Sequence, residues 1–227
     1  MSWKMLVASI GFITVIGSGS LVGQSVIEPQ AAAVAPAPPI PMPPDRTEDS
    51  YQIYSLLMPG REFEGDKAAK WAIADTTMSV ATLGSMAPDA ALIKVPVGSE
   101  DDFHDLLNDF FANRQETVHL TSDGFKLSTP FVLLNQEQTR LYESNILGLM
   151  FLGQKISEAE QDMRRLVSGA GGLTKFSEVY FNPRHTMAMV YTVQDCGPNC
   201  GAGYWVVLER KDSRWRDLHW LSPGWIS

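Results

Sequence analysis

The stretch that decides the fold is residues 176–220, FSEVYFNPRHTMAMVYTVQDCGPNCGAGYWVVLERKDSRWRDLHW. It contains four short runs of aromatic and β-branched residues, which strands prefer: 176–181, 186–193, 204–210 and 215–220. The runs are separated by turn-forming sequences, namely an Asn-Pro pair, a loop with two cysteines and an Asp-Ser pair. Because short strands joined by short turns pair in antiparallel fashion, this stretch predicts an antiparallel meander.

Helical spacing of apolar residues dominates the chain before the meander. It is clearest in residues 99–113, where Ser99 occupies the N-cap position and one apolar stripe follows. The stripe consists of Phe103, Leu106, Leu107, Phe110 and Phe111. The pattern also predicts shorter helices at 48–58, 135–142 and 157–167, the last two opened by capping sequences.

The two cysteines, Cys196 and Cys200, lie four positions apart in a loop rich in glycine and proline. In an oxidising compartment such a pair is expected to form a disulfide that closes the loop. Three alternatives stay open: a redox dithiol, a catalytic cysteine, and a zinc site completed by His185 and His219. A redox pair usually has two intervening residues at a helix start, so we favour the structural disulfide.

Apolar runs at residues 70–76, 91–97 and 125–134 predict further strands, and proline interrupts the last two runs. Helices therefore come mainly first and strands mainly last. This order favours an α+β fold over a parallel βαβ sheet. The predicted architecture is N-terminal helices packed on a C-terminal antiparallel sheet with a disulfide-closed hairpin loop.

The N-terminal segment predicts export. Residues 5–22 carry no charge and are mostly apolar, with Lys4 before them and the acidic Glu28 and Asp45 as the next charges. This asymmetry predicts that the start of the chain stays on the cytoplasmic side of a membrane and that the rest is carried to the outer side. We expect residues 1–28 to be a cleaved signal peptide or, alternatively, an uncleaved membrane anchor. The domain is then extracytoplasmic, in the periplasm or at the cell surface.

A Pro/Ala-rich linker follows at residues 29–44, which hold seven of the fourteen prolines. Proline neither continues a helix nor donates to a sheet, so we predict an extended, polyproline-like spacer. A docking peptide for a proline-reading module is the alternative. Residues 45–227 are predicted to form a single globular domain.

The net charge of the chain limits the classes of partner that it is expected to bind. The formal net charge is −8, and the acidic residues are scattered rather than gathered in a tail. An acidic domain repels nucleic-acid phosphates and anionic lipids, so we expect no nucleic-acid partner and membrane contact only through the N-terminal segment. The sequence shows no phosphate-binding loop, serine-nucleophile elbow or metal-ligand spacing, so no cofactor is predicted.

Two residues are surface or ligand candidates. Trp225 lies near the end of the chain, where an exposed indole offers a stacking surface, whereas Trp205 and Trp215 are expected in the core. Asp75 lies at the end of a predicted strand, where aspartate serves either a polar site or a turn. His104 falls off the apolar stripe and is expected at the surface.

The C-terminal stretch resembles a group of exported bacterial proteins of unknown function, some of them lipoproteins. The motifs that carry this resemblance are Phe176-Ser177, Phe181-Asn182, Val190-Tyr191, Cys196-Gly197, Cys200-Gly201, Gly203-Tyr204 and Trp215. The resemblance implies an extracytoplasmic location and a disulfide-stapled hairpin, and it implies no activity. This chain lacks the cysteine near its N terminus to which the lipoprotein members attach their lipid.

Three functions follow as expectations. The first is a non-enzymatic binding or accessory module of the cell envelope. The second is an extracytoplasmic hydrolase whose carboxylate catalysts the sequence does not identify. The third is a thiol redox protein that uses Cys196 and Cys200.

Overall fold

The computed structural model describes residues 38–58, 69–81, 83, 93, 95, 97–148, 157–197, 200–219 and 224–226. All of them fall within the unit Ala37–Ser227. The helices in this described part are α1 (Pro44–Leu57), α2 (Glu100–Asn113), α3 (Gln136–Gly148) and α4 (Glu158–Leu166). The predicted signal peptide or anchor, residues 1–28, lies outside the described residues. No helix of the described part is both long and apolar enough to cross a membrane.

The strands form one large mixed sheet and one small parallel pair. They are β1 (Ile40–Pro41), β2 (Lys70–Ala74), β3 (Val118–His119), β4 (Phe131–Leu134), β5 (Ala170–Phe176), β6 (Tyr180–Phe181), β7 (Met187–Gly197), β8 (Cys200–Lys211), β9 (Arg214–Asp217) and β10 (Gly224–Ile226). The large sheet has the order β10-β8-β7-β5-β2-β4, with β6 paired to β7 and β9 paired to β8. β1 pairs with β3.

The predicted α+β class and its C-terminal meander are confirmed. β6 pairs with β7, β7 with β8, and β8 with β9, all antiparallel. The turn between β8 and β9 consists of Asp212 and Ser213, whose φ angles are 52° and 61°. Two consecutive positive φ values twist a two-residue turn in the same sense as the strands it joins.

The sheet also has a parallel part that the sequence analysis did not predict. β2 lies between β4 and β5 and pairs in parallel with both. The strand expected at 125–134 forms only at Phe131–Leu134, after Pro130. The described residues of the run 91–97 (Ile93, Val95 and Val97) lie outside any strand, and that prediction was wrong at these positions.

The central strand β7 separates two apolar clusters, because alternate side chains of a strand point to opposite faces. Ala188 and Val190 pack in the cluster that holds Tyr54 of α1. Met189 and Tyr191 pack in the cluster that holds the α2 stripe. The members of that stripe buried in the core are Phe103, Leu106 and Phe110. Phe111 was also expected in the core, but it is 55% exposed.

Three helix starts agree with the prediction within one residue, whereas α1 begins at Pro44, four residues before the predicted start at 48. Ser157 and Glu160 form a complete capping box at α4. At the start of α3, Asn135 Oδ1 accepts from the Gln138 backbone amide, and Gln138 Oε1 accepts from the Asn135 backbone amide. Ser99 does precede α2, but its side chain makes no capping hydrogen bond.

The folded part begins before Asp45, within the predicted linker. The Ile40 amide donates to the Thr117 carbonyl over 2.9 Å, which starts the pairing of β1 with β3. α1 then begins at Pro44, where the missing amide proton costs no helical hydrogen bond. The last linker residues therefore pack as part of the domain instead of acting as a spacer.

Candidate functional site

The predicted disulfide between Cys196 and Cys200 is present. It spans the tip of the β7–β8 hairpin, where the register shifts between Asp195 and Gly197. Gly172 of β5 faces this irregularity with a φ of 137°, and a Cβ there would approach the Asp195 carbonyl to 2.7 Å. Only glycine allows this close approach, which explains the glycine at this position of β5.

The histidines named for the zinc alternative have other partners. His185 Nδ1 lies 3.0 Å from Asp49 Oδ2, and His219 Nδ1 lies 3.6 Å from Asp217 Oδ2. Both sulfurs are held in the disulfide, so neither is a thiolate ligand. Within the described residues, no group of three or more His, Cys, Asp or Glu side chains is placed to hold a metal ion.

Trp225 lies on β10, half-buried against the β7–β8 hairpin. Its indole covers Gly201 and Gly203 of β8, where an added Cβ would collide with the ring. The two glycines thus make room for the last strand to dock. The indole face that covers these glycines is used for packing, and a ligand role for the remainder stays a prediction.

Asp75 directly follows β2 and extends its backbone pairing. Its Oδ1 accepts a hydrogen bond from Thr76 Oγ1 over 2.9 Å, and its backbone amide and carbonyl bond to Leu134 and Leu120. His119 Nδ1 lies 3.8 Å from Asp75 Oδ2 and borders a cleft of about 490 Å³. The other residues lining that cleft are Pro39, Pro41, Met42, Thr47, Tyr51 and Thr121.

A second cleft, of about 310 Å³, lies where the start of α1, the middle of α2 and the β6–β7 turn meet. Its lining residues are Asp45, Arg46, Asp105, Asn108, Asp109, Phe181, Asn182, Pro183 and His185. We call it the Arg46 cleft. Except for His185, which entered only the zinc alternative, sequence reasoning did not assign these residues a functional role.

The first charge network at this cleft is centred on Arg46. Its guanidinium donates to both Asp109 oxygens over 2.6 and 3.0 Å, and to Glu178 Oε1 over 3.3 Å. Asp109 also accepts from the Phe181 amide over 2.8 Å. One arginine therefore connects α1, α2 and the loop between β5 and β6.

The second network is centred on Asp49, one helical turn after Arg46. This carboxylate is only 8% exposed. It accepts from Trp215 Nε1 over 3.1 Å, from Arg210 Nη1 over 3.2 Å and from His185 Nδ1 over 3.0 Å. Since a carboxylate only accepts, Nδ1 carries the imidazole proton and Nε2 is the ring nitrogen left for other contacts.

The β6–β7 turn holds His185 in place. Asn182 Oδ1 accepts from the amides of Thr186 and Met187, and its Nδ2 donates to Asp102. The Arg184 guanidinium beside Asp102 lowers the pKa of that carboxyl. His185 itself has a φ of 50° and stacks on Phe181 with ring centroids 4.5 Å apart. A positive φ in a residue other than glycine persists only where the surroundings enforce it.

The carboxyl group of Glu178, beneath the cleft, has its pKa shifted by burial. Glu178 is 3% exposed. Burial, opposed by Arg46, raises its pKa to about 7. At the rim, by contrast, Asp45, Asp105 and Asn108 are exposed. The cleft thus combines a fixed, buried floor with an acidic, solvated edge, an arrangement suited to binding a polar ligand.

Comparisons with protein-family models, with curated protein sequences and with solved structures each found no significant match. The resemblance to exported bacterial proteins therefore stays an expectation from the sequence. The Arg46 cleft has to be interpreted from its own geometry.

Proposed function

We propose that this chain is a non-enzymatic binding domain exported to the bacterial cell envelope, and that the Arg46 cleft is its binding site. The observation that carries the proposal is that two partly buried charge networks end at the same cleft, where they fix Arg46, Asp109 and His185. Side chains locked by buried hydrogen bonds lose little entropy when they bind a ligand.

The lining of the cleft supports binding over covalent chemistry. Among the described residues, those that line it include no serine, threonine or cysteine to serve as a nucleophile. Asp109 and Arg46 already neutralise each other at 2.6 Å. What remains for a ligand is the His185 Nε2 atom, the Asn108 amide and the rim carboxylates Asp45 and Asp105, which offer hydrogen bonds and charge.

Site-specific photo-cross-linking in bacteria tests this proposal. A photoreactive residue at Asn108 of the full chain is expected to give a defined adduct in the envelope fraction. Gln136 is the matched control, because it is also an exposed amide on a helix but does not line the cleft. The Asp105→Lys variant should reduce the Asn108 adduct. Equal yields at both positions, no adduct at Asn108, or a cytoplasmic location of the chain would refute the proposal.

A hydrolase is the second candidate, and the pairing of His185 with Asp49 favours it. A carboxylate that orients imidazole through Nδ1 leaves Nε2 able to take a proton from water. Under this alternative, purified protein would hydrolyse members of a panel of chromogenic esters and glycosides, and His185→Gln would abolish the turnover. The binding proposal expects no turnover by either protein.

A further inference from the structure

Glu178 is a buried carboxyl group beneath the Arg46 cleft, and only one of its two oxygens has a hydrogen-bond partner among the described residues. Oε1 accepts from Arg46 over 3.3 Å. Oε2 is buried and has no hydrogen-bond partner among the described residues. A buried carboxylate with an unsatisfied oxygen is costly, so this environment favours the neutral acid.

The arrangement around Arg46 allows Glu178 to become neutral without leaving the guanidinium unpaired. Asp109 holds Arg46 through two shorter bonds, of 2.6 and 3.0 Å. With both carboxyls ionised, one cation faces two anions, of which Glu178 is buried and Asp109 is partly buried. When Glu178 takes up a proton, a balanced pair of Arg46 and Asp109 remains.

Two other carboxylates near Glu178 favour its neutral form, whereas Arg46 favours the charged form. Glu116, which follows α2, and Asp109 both disfavour its charged form. Tyr54 of α1 and Tyr180 of β6 also interact with it, and burial raises the pKa of both phenols, so they stay neutral. Burial is the largest influence on Glu178 and raises its pKa to about 7, above the usual 4.5.

We infer that Glu178 is a proton-controlled latch on the Arg46 cleft: the first turn of α1 is held more firmly when Glu178 takes up a proton, and less firmly when Glu178 releases it. That turn carries Asp45 and Arg46, two residues that line the cleft. The inference rests on the proposed function only in treating this cleft as the binding site. The proton comes from solvent, and no other reactant is needed.

Stability should fall as the pH rises, because the folded state binds the Glu178 proton more tightly than the unfolded chain does. The contribution of Glu178 to stability is complete below about pH 4.5 and is lost as the pH rises toward 7. Between pH 5 and pH 8 the group should lower the folding equilibrium constant by about 70-fold. Hydrogen-exchange protection of the α1 first turn should fall over the same range.

The test measures urea unfolding and amide protection factors from pH 5 to pH 8 for wild type, Glu178→Gln and Glu137→Gln. Glu137 is an exposed control on α3. Glu178→Gln should remove the loss of stability and of amide protection between pH 5 and pH 8, and Glu137→Gln should retain both losses. If the free energy of unfolding depends on pH identically in wild type and Glu178→Gln, the inference is overturned.

A direct titration keeps the inference testable if Glu178→Gln fails to fold. The carboxyl carbon of Glu178 in the wild-type protein should titrate with a midpoint near 7, and a midpoint at or below 4.5 would overturn the latch. The Asn108 cross-link is an independent measurement. If Glu178 does not titrate near 7 but the Asn108 cross-link forms, only the latch is rejected. If Glu178 titrates near 7 but no cross-link forms, only the proposed function is rejected.

Discussion

The β7–β8 hairpin tip and the Arg46 cleft are built from opposite kinds of contact. At the tip, Cys196 and Cys200 are four positions apart, and the hairpin brings them together. At the cleft, Arg46 meets Asp109 and Glu178, which lie 63 and 132 positions away. The tip depends on local chain geometry, while the cleft exists only once α1, α2 and the sheet have packed.

This difference predicts where the domain is most sensitive to substitution. Closing a short loop removes little entropy from the unfolded chain. Removing one member of a buried charge network leaves its partners without hydrogen bonds in a site that water hardly reaches. We therefore expect the cleft floor to be more sensitive than the hairpin tip.

The largest effect is expected for Asp49→Ala. It leaves the Trp215, Arg210 and His185 donors without their shared acceptor and should lower the free energy of unfolding by about 3–5 kcal/mol. Urea unfolding measures the loss. The control is Glu48→Ala, an exposed neighbour on α1, which should cost no more than about 0.5 kcal/mol. Similar losses in both variants would show that the network adds nothing beyond helix stability.

Gly172→Ala should have the next largest effect, about 3 kcal/mol, because it forces a Cβ against the Asp195 carbonyl at an unfavourable φ. Gly98→Ala is the control, since Gly98 has a φ of 90° but no atom within 4 Å of an added Cβ. It should cost about 1 kcal/mol, from backbone strain alone. The difference between the two variants measures the close approach of β5 to the hairpin tip. Equal costs would mean that the strands separate freely there.

Replacing both cysteines by serine should cost about 2 kcal/mol, because the closed loop is short. Hydrogen-exchange protection should fall at the tip of β7–β8 and remain unchanged in α1. Reductant provides the control, since it should destabilise the wild type by a similar amount and leave the double variant unaffected. A loss as large as that of Asp49→Ala would reverse the ranking of the two regions.

The same contrast explains which parts were predicted from sequence. The strands of the C-terminal meander, the Asp212-Ser213 turn and the capping box at Ser157 are local patterns, and each was confirmed. The parallel pairing of β2 with β4 and β5 was missed, because no local signal states which distant strand a short apolar run will join.

The cleft was missed for a related reason. Asp49, Asp109 and Glu178 are ordinary charged residues in their local sequence. The burial of Asp49 and Glu178 and the partial burial of Asp109 arise only from tertiary packing. One weak signal was present: Asp109 lies within α2 one residue before Phe110, beside the buried face of an otherwise amphipathic helix. A charge beside an apolar stripe is often buried with a partner, but the sequence does not name that partner.

The smallest effect tests the local patterns themselves. Ser157→Ala should cost about 1 kcal/mol, because the Ser157 side chain accepts from the Glu160 amide. Ser99→Ala is the matched control, since Ser99 occupies the same position at α2 without a capping hydrogen bond and should cost less than about 0.5 kcal/mol. If urea unfolding gives equal losses, the Ser99 side chain caps α2 in solution. The local sequence pattern alone would then determine both helix starts. The contrast between local and tertiary contacts would apply only to the charge networks of the cleft.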